Sequence, residues 1–154
     1  MKITHHLLLR PVAGVLGVLL LAGCGTRTPA SQEARLTKAA GVTSVSLIMP
    51  EGLWKDTKPF DDLKKVPVER LDGDRGARGL VRINLTGTQV VTYMKFLDAS
   101  AHPGPGSVNR DNKQASVRVY EAIGGALDTI TPARGAGDPA PEVLIDDTIG
   151  TPAP

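Results

Sequence analysis

The sequence contains little of the chemistry on which metal sites and many enzymes depend. Of its 154 residues, one is cysteine, Cys24, and three are histidine. Zinc sites draw mainly on these two residue types, and serine or cysteine nucleophiles usually need a histidine as their base. No glycine-rich phosphate loop of either common type is present. The composition therefore argues against a zinc protein, a thiol enzyme and a nucleotide-binding enzyme, and it predicts no cofactor.

Acidic residues are absent from the first 32 positions, which carry the pattern of an export signal. Lys2 and Arg10 lead into a mostly apolar run at residues 11–22, and small residues follow it. A basic start, a short apolar core and small residues are typical of a secretory signal peptide. A helix that spans the bilayer needs about 20 apolar residues, so this run is too short to be a retained membrane helix.

The residues that end the apolar run are Leu21, Ala22, Gly23 and Cys24. This tetrapeptide of an aliphatic residue, two small residues and a cysteine resembles the lipobox of bacterial lipoproteins. The resemblance implies that signal peptidase II cuts between Gly23 and Cys24 and that the thiol of Cys24 carries a diacylglyceryl group. Two acyl chains hold a protein stably on a bilayer. The resemblance thus predicts a lipid-anchored protein on the extracytoplasmic face of the cell membrane.

Cleavage at this site would change the charge of the chain. Removal of residues 1–23 leaves 131 residues and lowers the basic residues from 18 to 16, equal to the number of acidic residues. It also removes His5 and His6, so that His102 is the one histidine left. An evenly mixed charge gives no general attraction to nucleic acid, and few aromatic residues are present to stack on bases. We expect the membrane and an envelope protein as partners, and no nucleic acid.

Turn-forming residues and apolar patterns divide the chain into four predicted segments. Residues 131–154 contain five prolines and three glycines, a composition that favours a loosely ordered tail, although residues 142–147 could dock as an edge strand. The segments are a signal peptide at 1–23, the lipidated cysteine with a flexible tether at 24–41, a globular domain at 42–130 and a Pro/Gly-rich tail at 131–154.

Three strands are predicted from alternating apolar residues. Residues 42–49 and 80–85 alternate apolar and polar side chains, which indicates half-buried strands. Residues 66–71 could pair with residues 80–85, and Pro67 would confine them to the edge of a sheet. The connection begins with Asp72, Gly73 and Asp74, which match the start of a calcium loop, but the further carboxylates such a loop needs do not follow. A turn is the better interpretation.

Two amphipathic helices are predicted after the strands. Residues 86–89 match a capping box, and 3.6-residue periodicity then continues to about residue 100. The second helix ends before Pro132 and contains Gly124 and Gly125, so that either it bends there or another backbone packs unusually close. The predicted fold class is a small α+β domain of two or three antiparallel strands followed by a C-terminal helix pair. The predicted apolar stripes are Val90, Met94, Leu97 and Ala101 in the first helix and Val117, Tyr120, Ile123, Leu127 and Ile130 in the second.

Two residues stand out as candidate contact residues. Trp54 is the single tryptophan, and it is either a core anchor or an exposed residue at an interface, where tryptophan is common. His102 lies in the sequence Ala-His-Pro-Gly-Pro-Gly, which predicts a histidine in a turn-rich surface loop. We predict no catalytic residue and no metal ligand.

The remaining candidates for catalysis are two pairs of adjacent carboxylates. Asp61 with Asp62 and Asp146 with Asp147 could each supply acid–base groups. Adjacent side chains on a strand point to opposite faces, however, and charged residues are mostly exposed. The sequence favours a non-catalytic, membrane-tethered binding or accessory module rather than an enzyme. The alternatives are an envelope hydrolase that works through carboxylates and His102, and a small carrier of a lipid or cell-wall ligand.

Overall fold

The computed structural model of the chain describes residues 28–103, 112–130 and 140–146, in which five helices and four strands follow one another. The strands form one sheet in which two of the three strand pairings are antiparallel, as in an α+β fold. The elements are α1 (Gln32–Gly41), β1 (Ser44–Pro50), α2 (Glu51–Thr57), β2 (Val68–Arg70), α3 (Gly73–Ala77), β3 (Leu80–Thr86), α4 (Gly87–Ala101), α5 (Lys113–Thr129) and β4 (Glu142–Leu144).

The sheet has the strand order β2-β3-β1-β4. β3 is antiparallel to both of its neighbours, and its Ile83 is aligned with Leu47 of β1 and with Val68 of β2. β4 is parallel to β1, which makes the sheet mixed. The predicted pairing of residues 66–71 with residues 80–85 is confirmed, and β2 lies at the edge of the sheet, as expected from Pro67.

A short helix, α3, occupies the connection between β2 and β3. Gly73 at its start and Gly79 after its end have φ angles of 61° and 69°, a left-handed conformation that favours glycine. The predicted turn therefore contains one helical turn between two glycines. No group of three or more histidine, cysteine, aspartate or glutamate side chains suited to a metal occurs in the described part of the chain.

The central strand β1 is buried on both faces. Val45, Leu47 and Met49 point into the core beneath the helices, and Ser46 and Ile48 on the other face are buried too. The predicted half-buried strand is thus wrong for β1, because the strand has neighbours on both sides and side chains above both faces.

Helix α4 has the start and the buried face that its sequence predicts. The Thr86 hydroxyl accepts a hydrogen bond from the Gln89 amide, and the Gln89 side-chain oxygen accepts one from the Thr86 amide. This capping box satisfies two donors that would otherwise lack partners. The four predicted core residues of the helix, Val90, Met94, Leu97 and Ala101, are all fully buried.

Helix α5 packs against α4 and is buried over a wider arc than predicted. Tyr120, Ile123 and Leu127 are in the core as expected. Val117 is only half-buried, whereas Val119 is fully buried. The predicted apolar stripe is therefore wrong by two residues near the N-terminal end of α5. The arc is wide because α5 contacts α1 and α2 as well as α4.

The domain extends beyond the predicted limits at both ends. Residues 32–41, which the sequence assigned to a flexible tether, form α1 and pack against α4 and α5. Residues 142–144 lie in the predicted tail, and they form the edge strand β4, which confirms the expectation that this part of the tail docks as an edge strand. The α+β class is confirmed, but the sheet has four strands in mixed orientation, and its last strand follows the helix pair.

Candidate functional site

Trp54, predicted as a candidate contact residue, lies in the hydrophobic core. Its side chain in α2 is 1% exposed and packs edge-on against Tyr93, with ring centroids 5.2 Å apart. The ammonium group of Lys58 lies 5.8 Å from the Trp54 ring. A side chain with almost no accessible surface cannot contact a partner, so the core anchor is correct and the surface contact is wrong.

His102 follows the last turn of α4 and does not lie in a surface loop. Its Nδ1 lies 2.8 Å from Oδ1 of Asp98, one turn earlier, and its ring packs edge-on against Tyr120 with centroids 5.8 Å apart. The side chain is 12% exposed. The prediction of an exposed loop histidine is therefore wrong, because the carboxylate of Asp98 and the ring of Tyr120 hold the imidazole against the helix pair.

Three of the four candidate carboxylates lie within the described residues. Asp146 is buried and forms an ion pair with Arg78. Asp61 and Asp62 are both exposed, in the segment between α2 and β2. Asp147 lies outside the described residues. These placements agree with charged groups held by ion pairs or by water.

The most extensive polar cluster in the described residues is built around Arg35 of α1. Arg35 is 8% exposed, and its guanidinium donates hydrogen bonds to the carboxylate of Asp128 on α5, with Nη2 2.8 Å from Oδ2 and Nε 3.2 Å from the same oxygen. A second carboxylate, that of Glu121, lies 3.6 Å from Nη1. Burial of an arginine is costly unless it is paired in this way. The cluster therefore fastens α1 to α5 through charge.

The absence of a side chain at Gly124 leaves room on α5 for the guanidinium of Arg35. A Cβ atom at position 124 would lie 2.5 Å from Arg35 Cζ, whereas a Cβ at Gly125 would have no atom within 4 Å. The sequence predicted a bend or a close backbone at these glycines, but the close neighbour is an arginine side chain. The Tyr120 ring completes the pocket, with its centroid 5.5 Å from Arg35 Cζ, a distance at which a cation is attracted to an aromatic face.

Three further hydrogen bonds join α1 and the residues before it to the helix pair. The Tyr120 hydroxyl donates to Oε1 of Gln32 at 2.5 Å. Lys38 donates to the main-chain oxygen of Asp128 at 2.9 Å, and Thr28 donates to Asp98 Oδ2 at 2.7 Å. We call this set of contacts the α1 seam, and it consists of Thr28, Gln32, Arg35 and Lys38 with their partners Asp98, Tyr120, Glu121, Gly124 and Asp128.

The charges of the α1 seam perturb the proton affinities of its members. The hydrogen bond from Arg35 lowers the pKa of Asp128, and the hydrogen bond to Asp128 raises the pKa of Arg35. Burial raises the pKa of Tyr120. Because the pKa of Asp128 is lowered in the folded state, its pairing stabilises the fold at neutral pH, and this stabilisation is lost as the pH falls through that lowered pKa.

A second group of charges covers the face of the sheet that points away from α4 and α5. Arg75 and Arg82 contact the two carboxylate oxygens of Glu142 at 3.0 and 3.6 Å, and Arg82 also lies 3.6 Å from Glu69. These pairs bridge β2, β3 and β4. Because they are partly or largely exposed, each contributes little to stability, and they give this face a mixed charge.

The carrier alternative requires a large apolar cavity, and one cavity among the described residues has a partly charged lining instead. It measures about 300 Å³ and opens beside the start of β3. Glu51, Arg70, Gly76 and Gly79 are among the residues that line it, together with Leu80. A lining that includes two charged residues and backbone at glycines suits a small polar molecule better than an acyl chain.

Phe60 is the most exposed large apolar side chain among the described residues. It is 73% exposed and lies between α2 and β2. The ammonium group of Lys64 lies 5.2 Å from the centre of its ring. An aromatic residue at the surface is the type of side chain that interface hot spots use, so Phe60 replaces Trp54 as the candidate contact residue.

Sequence reasoning missed the α1 seam. Its residues fell in the predicted tether, although Gln32, Arg35, Leu36 and Ala39 recur at the i, i+3, i+4 and i+7 positions that indicate one face of a helix. The pattern was weak because two of the four side chains are polar. A polar stripe can be recognised as the buried face of a helix only when its partners, such as Asp128, are known.

Comparisons with known proteins give no relative for this chain. No protein-family model, no curated protein and no solved structure matches it. Gly23 and Cys24, the predicted cleavage and lipidation site, lie outside the described residues. Among the residues that are described, no helix combines the length and the apolar character that crossing a bilayer requires.

Proposed function

We propose that the chain is an envelope lipoprotein, anchored through a diacylglyceryl group on Cys24 to the extracytoplasmic face of the cell membrane. Its domain would act as a non-catalytic binding or accessory module for another envelope protein. The observation that carries the anchor is the tetrapeptide Leu21–Cys24 directly after a short apolar run and a basic start. Modification of Cys24 would also remove the only thiol of the chain.

The anchor is tested by comparing the wild type with Cys24→Ser. The wild-type mature chain should begin at residue 24, carry the mass of a diacylglyceryl group and sediment with membranes. The Cys24→Ser variant should remain uncleaved and without lipid, because the acceptor sulfur is missing. A wild-type mature chain without added lipid in intact-mass analysis would contradict the proposal.

The exposed ring of Phe60 supports the binding part of the proposal. Phe60 is far more exposed than Val68 and Leu144, the two other large apolar side chains at the described surface, which are each 38% exposed. Lysine side chains lie on the same segment, with Lys64 over the ring. An aromatic ring beside flexible cations can bind an apolar pocket that has an acidic rim.

The contact surface is tested by photo-crosslinking in intact cells. A crosslinker placed at Lys64 should give one discrete adduct with a second envelope protein, and Phe60→Ala should reduce its yield severalfold. Leu144→Ala is the matched control, because it removes an exposed apolar side chain from β4 at the opposite edge of the sheet. Equal adduct yields in the wild type and the Phe60→Ala variant would exclude this surface.

The contact between Asp98 and His102 favours a second candidate function, an envelope hydrolase. In hydrolases a carboxylate at this distance orients an imidazole that acts as a general base. Purified protein should be assayed for hydrolysis of ester and amide substrates, with His102→Ala and Asp98→Asn as variants. Hydrolysis that His102→Ala abolishes would replace the binding module by the enzyme, whereas the binding module predicts no hydrolysis that depends on His102.

A further inference from the structure

We propose that one end of the domain, the end that carries Thr28, Asp98 and His102, faces the membrane surface and lies close to it. We call it the anchor end. The inference rests on the proposed lipid on Cys24 and adds to it an orientation that the lipid alone does not give. It follows from how α1 is fastened and from how little chain separates α1 from the lipidated residue.

Helix α1 is fixed to the rest of the domain along its whole length. Near its start, Gln32 and Arg35 bind Tyr120 and Asp128. Near its end, Ala39 is fully buried, and the main-chain oxygens of residues 39 and 42 would lie within 2.5 Å of a Cβ atom at Gly87. A helix fixed at both ends moves with the domain and not with the anchor.

Only a short length of chain separates the lipid from the domain. A chain spans at most about 3.5 Å per residue, so Gln32 lies no more than about 28 Å from Cys24, and Thr28 no more than about 14 Å. If residues 24–41 were a free tether, the first fixed residue would be Ser44, up to about 70 Å from Cys24. Docking of α1 therefore shortens severalfold the largest distance that can separate the domain from Cys24.

The short connection holds the C-terminal end of α4 near the membrane. Thr28 binds Asp98 in the last turn of α4, and His102 closes the same helix end. α1 runs antiparallel to α4, because Thr28 contacts Asp98 and Ala39 lies at Gly87. The start of α4 is therefore the distal end of the domain, and it should face away from the lipid.

The hydrogen bonding at the anchor end is compatible with a membrane as its neighbour. The carboxylate of Asp98 is engaged on both oxygens, by Thr28 at 2.7 Å and by His102 at 2.8 Å. Both carboxylate oxygens therefore have partners within the domain, so the approach of a headgroup layer leaves neither of them without a hydrogen bond. The chemical partner of this surface is thus a lipid headgroup layer.

The experiment places one reporter at each end of α4. Ala99 and Thr88 are both exposed, and the 11 residue steps from one to the other correspond to about 16 Å along the helix axis. Because lipid blocks the Cys24 thiol, Ala99→Cys and Thr88→Cys each introduce a single free thiol for a fluorophore. The lipidated proteins are incorporated into phosphatidylcholine vesicles that carry a short-range quencher on the headgroups.

The expected result is quenching that is severalfold stronger at position 99 than at position 88. Arg35→Gln, which removes the charge that holds α1, should bring the two values together by lengthening the free connection. Equal quenching at both positions, or stronger quenching at position 88, would overturn the orientation if the protein floats with the vesicles. Failure of the lipid-bearing wild type to float would instead overturn the anchor itself.

Discussion

The hydrophobic core and the α1 seam hold the same domain together by different means. The core between the sheet and α4 and α5 consists of fully buried apolar side chains such as Leu47, Ile83 and Leu97. The α1 seam contains an ion pair between Arg35 and Asp128, and the Asp128 side chain is 47% exposed. Burial of apolar surface contributes in proportion to area, while one half-exposed ion pair contributes much less than the buried core as a whole. The core should therefore carry the stability of the fold, and the seam should fix the position of α1.

This difference also explains why α1 can serve as the link between the lipid and the domain. Polar contacts between defined donors and acceptors hold one geometry, because each hydrogen bond is directional. Apolar contacts beneath α1, from Ala39 and Leu36, add area without direction. An element held mainly by polar contacts opens at a lower free energy than the core.

The largest effect should come from a charge placed in the core. Leu97→Asp puts a carboxylate without a partner where the leucine is fully buried, at a cost of several kcal/mol, which approaches the whole stability of a small domain. The variant should be unfolded in circular dichroism at room temperature. Lys95→Ala, on the exposed side of the same helix, is the control and should change stability by no more than about 0.5 kcal/mol. Equal losses in the two variants would mean that the faces of α4 are assigned wrongly.

A large but smaller effect is expected when a core ring is removed. Trp54→Ala deletes a buried indole that packs on Tyr93, and such truncations cost about 3–5 kcal/mol. Phe60→Ala removes an exposed ring from the following segment and should cost no more than about 0.5 kcal/mol. Denaturant unfolding measures both free energies. A Trp54→Ala variant as stable as Phe60→Ala would contradict the buried position of the tryptophan.

Removal of the charge in the seam should have an intermediate effect. Arg35→Gln breaks the hydrogen bonds to Asp128, and a charged hydrogen bond that is half-exposed is worth about 1–2 kcal/mol. Lys55→Gln is the matched control, because it breaks an exposed ion pair to Glu51 on α2, and exposed pairs of this kind contribute little to stability. Urea titrations at neutral pH compare the two variants. A loss with Arg35→Gln no larger than with Lys55→Gln would show that the seam does not stabilise the domain.

The smallest effects should separate the two adjacent glycines of α5. Gly125→Ala meets no atom within 4 Å and should stabilise the helix by up to about 1 kcal/mol. Gly124→Ala gives the same gain in helix stability but displaces the guanidinium of Arg35. In a thermal melt it should therefore leave the melting temperature nearly unchanged or lower it.

The same glycine pair provides its own control. In an Arg35→Ala background nothing occupies the space beside Gly124, and Gly124→Ala should then stabilise the domain as much as Gly125→Ala does. This is a double-mutant cycle for the contact. Equal effects of the two glycine substitutions in the wild-type background would contradict the close contact with Arg35.

Local sequence signals predicted much of the core but none of the seam. The capping box at Thr86 and the stripe from Val90 to Ala101 involve residues within a few positions of one another. Both patterns can therefore be recognised from the sequence alone. Pro67 marked the edge strand for the same reason. Arg35 and Asp128 are 93 positions apart, and neither shows by its neighbours that the other is its partner.

The candidate site was predicted less well because exposure depends on packing between distant elements. Trp54 lies on a helix of seven residues, which is too short for its periodicity to show which side is buried. The proline and glycine residues after His102 predict a loop, but α4 continues up to Ala101 and the Tyr120 ring packs edge-on against the imidazole. Neither contact could be inferred without the relative position of α4 and α5.

Amide hydrogen exchange of the folded domain tests most directly whether α1 is a docked element held less firmly than the core. Amides of α1 should be protected relative to an unfolded chain, and they should exchange faster than amides of α4 and β3. Unprotected amides throughout α1 would contradict a docked but less firmly held α1, because residues 24–41 would then form a free tether. Exchange of α1 at the same rate as α4 would contradict it too, because the seam would then be as firm as the core.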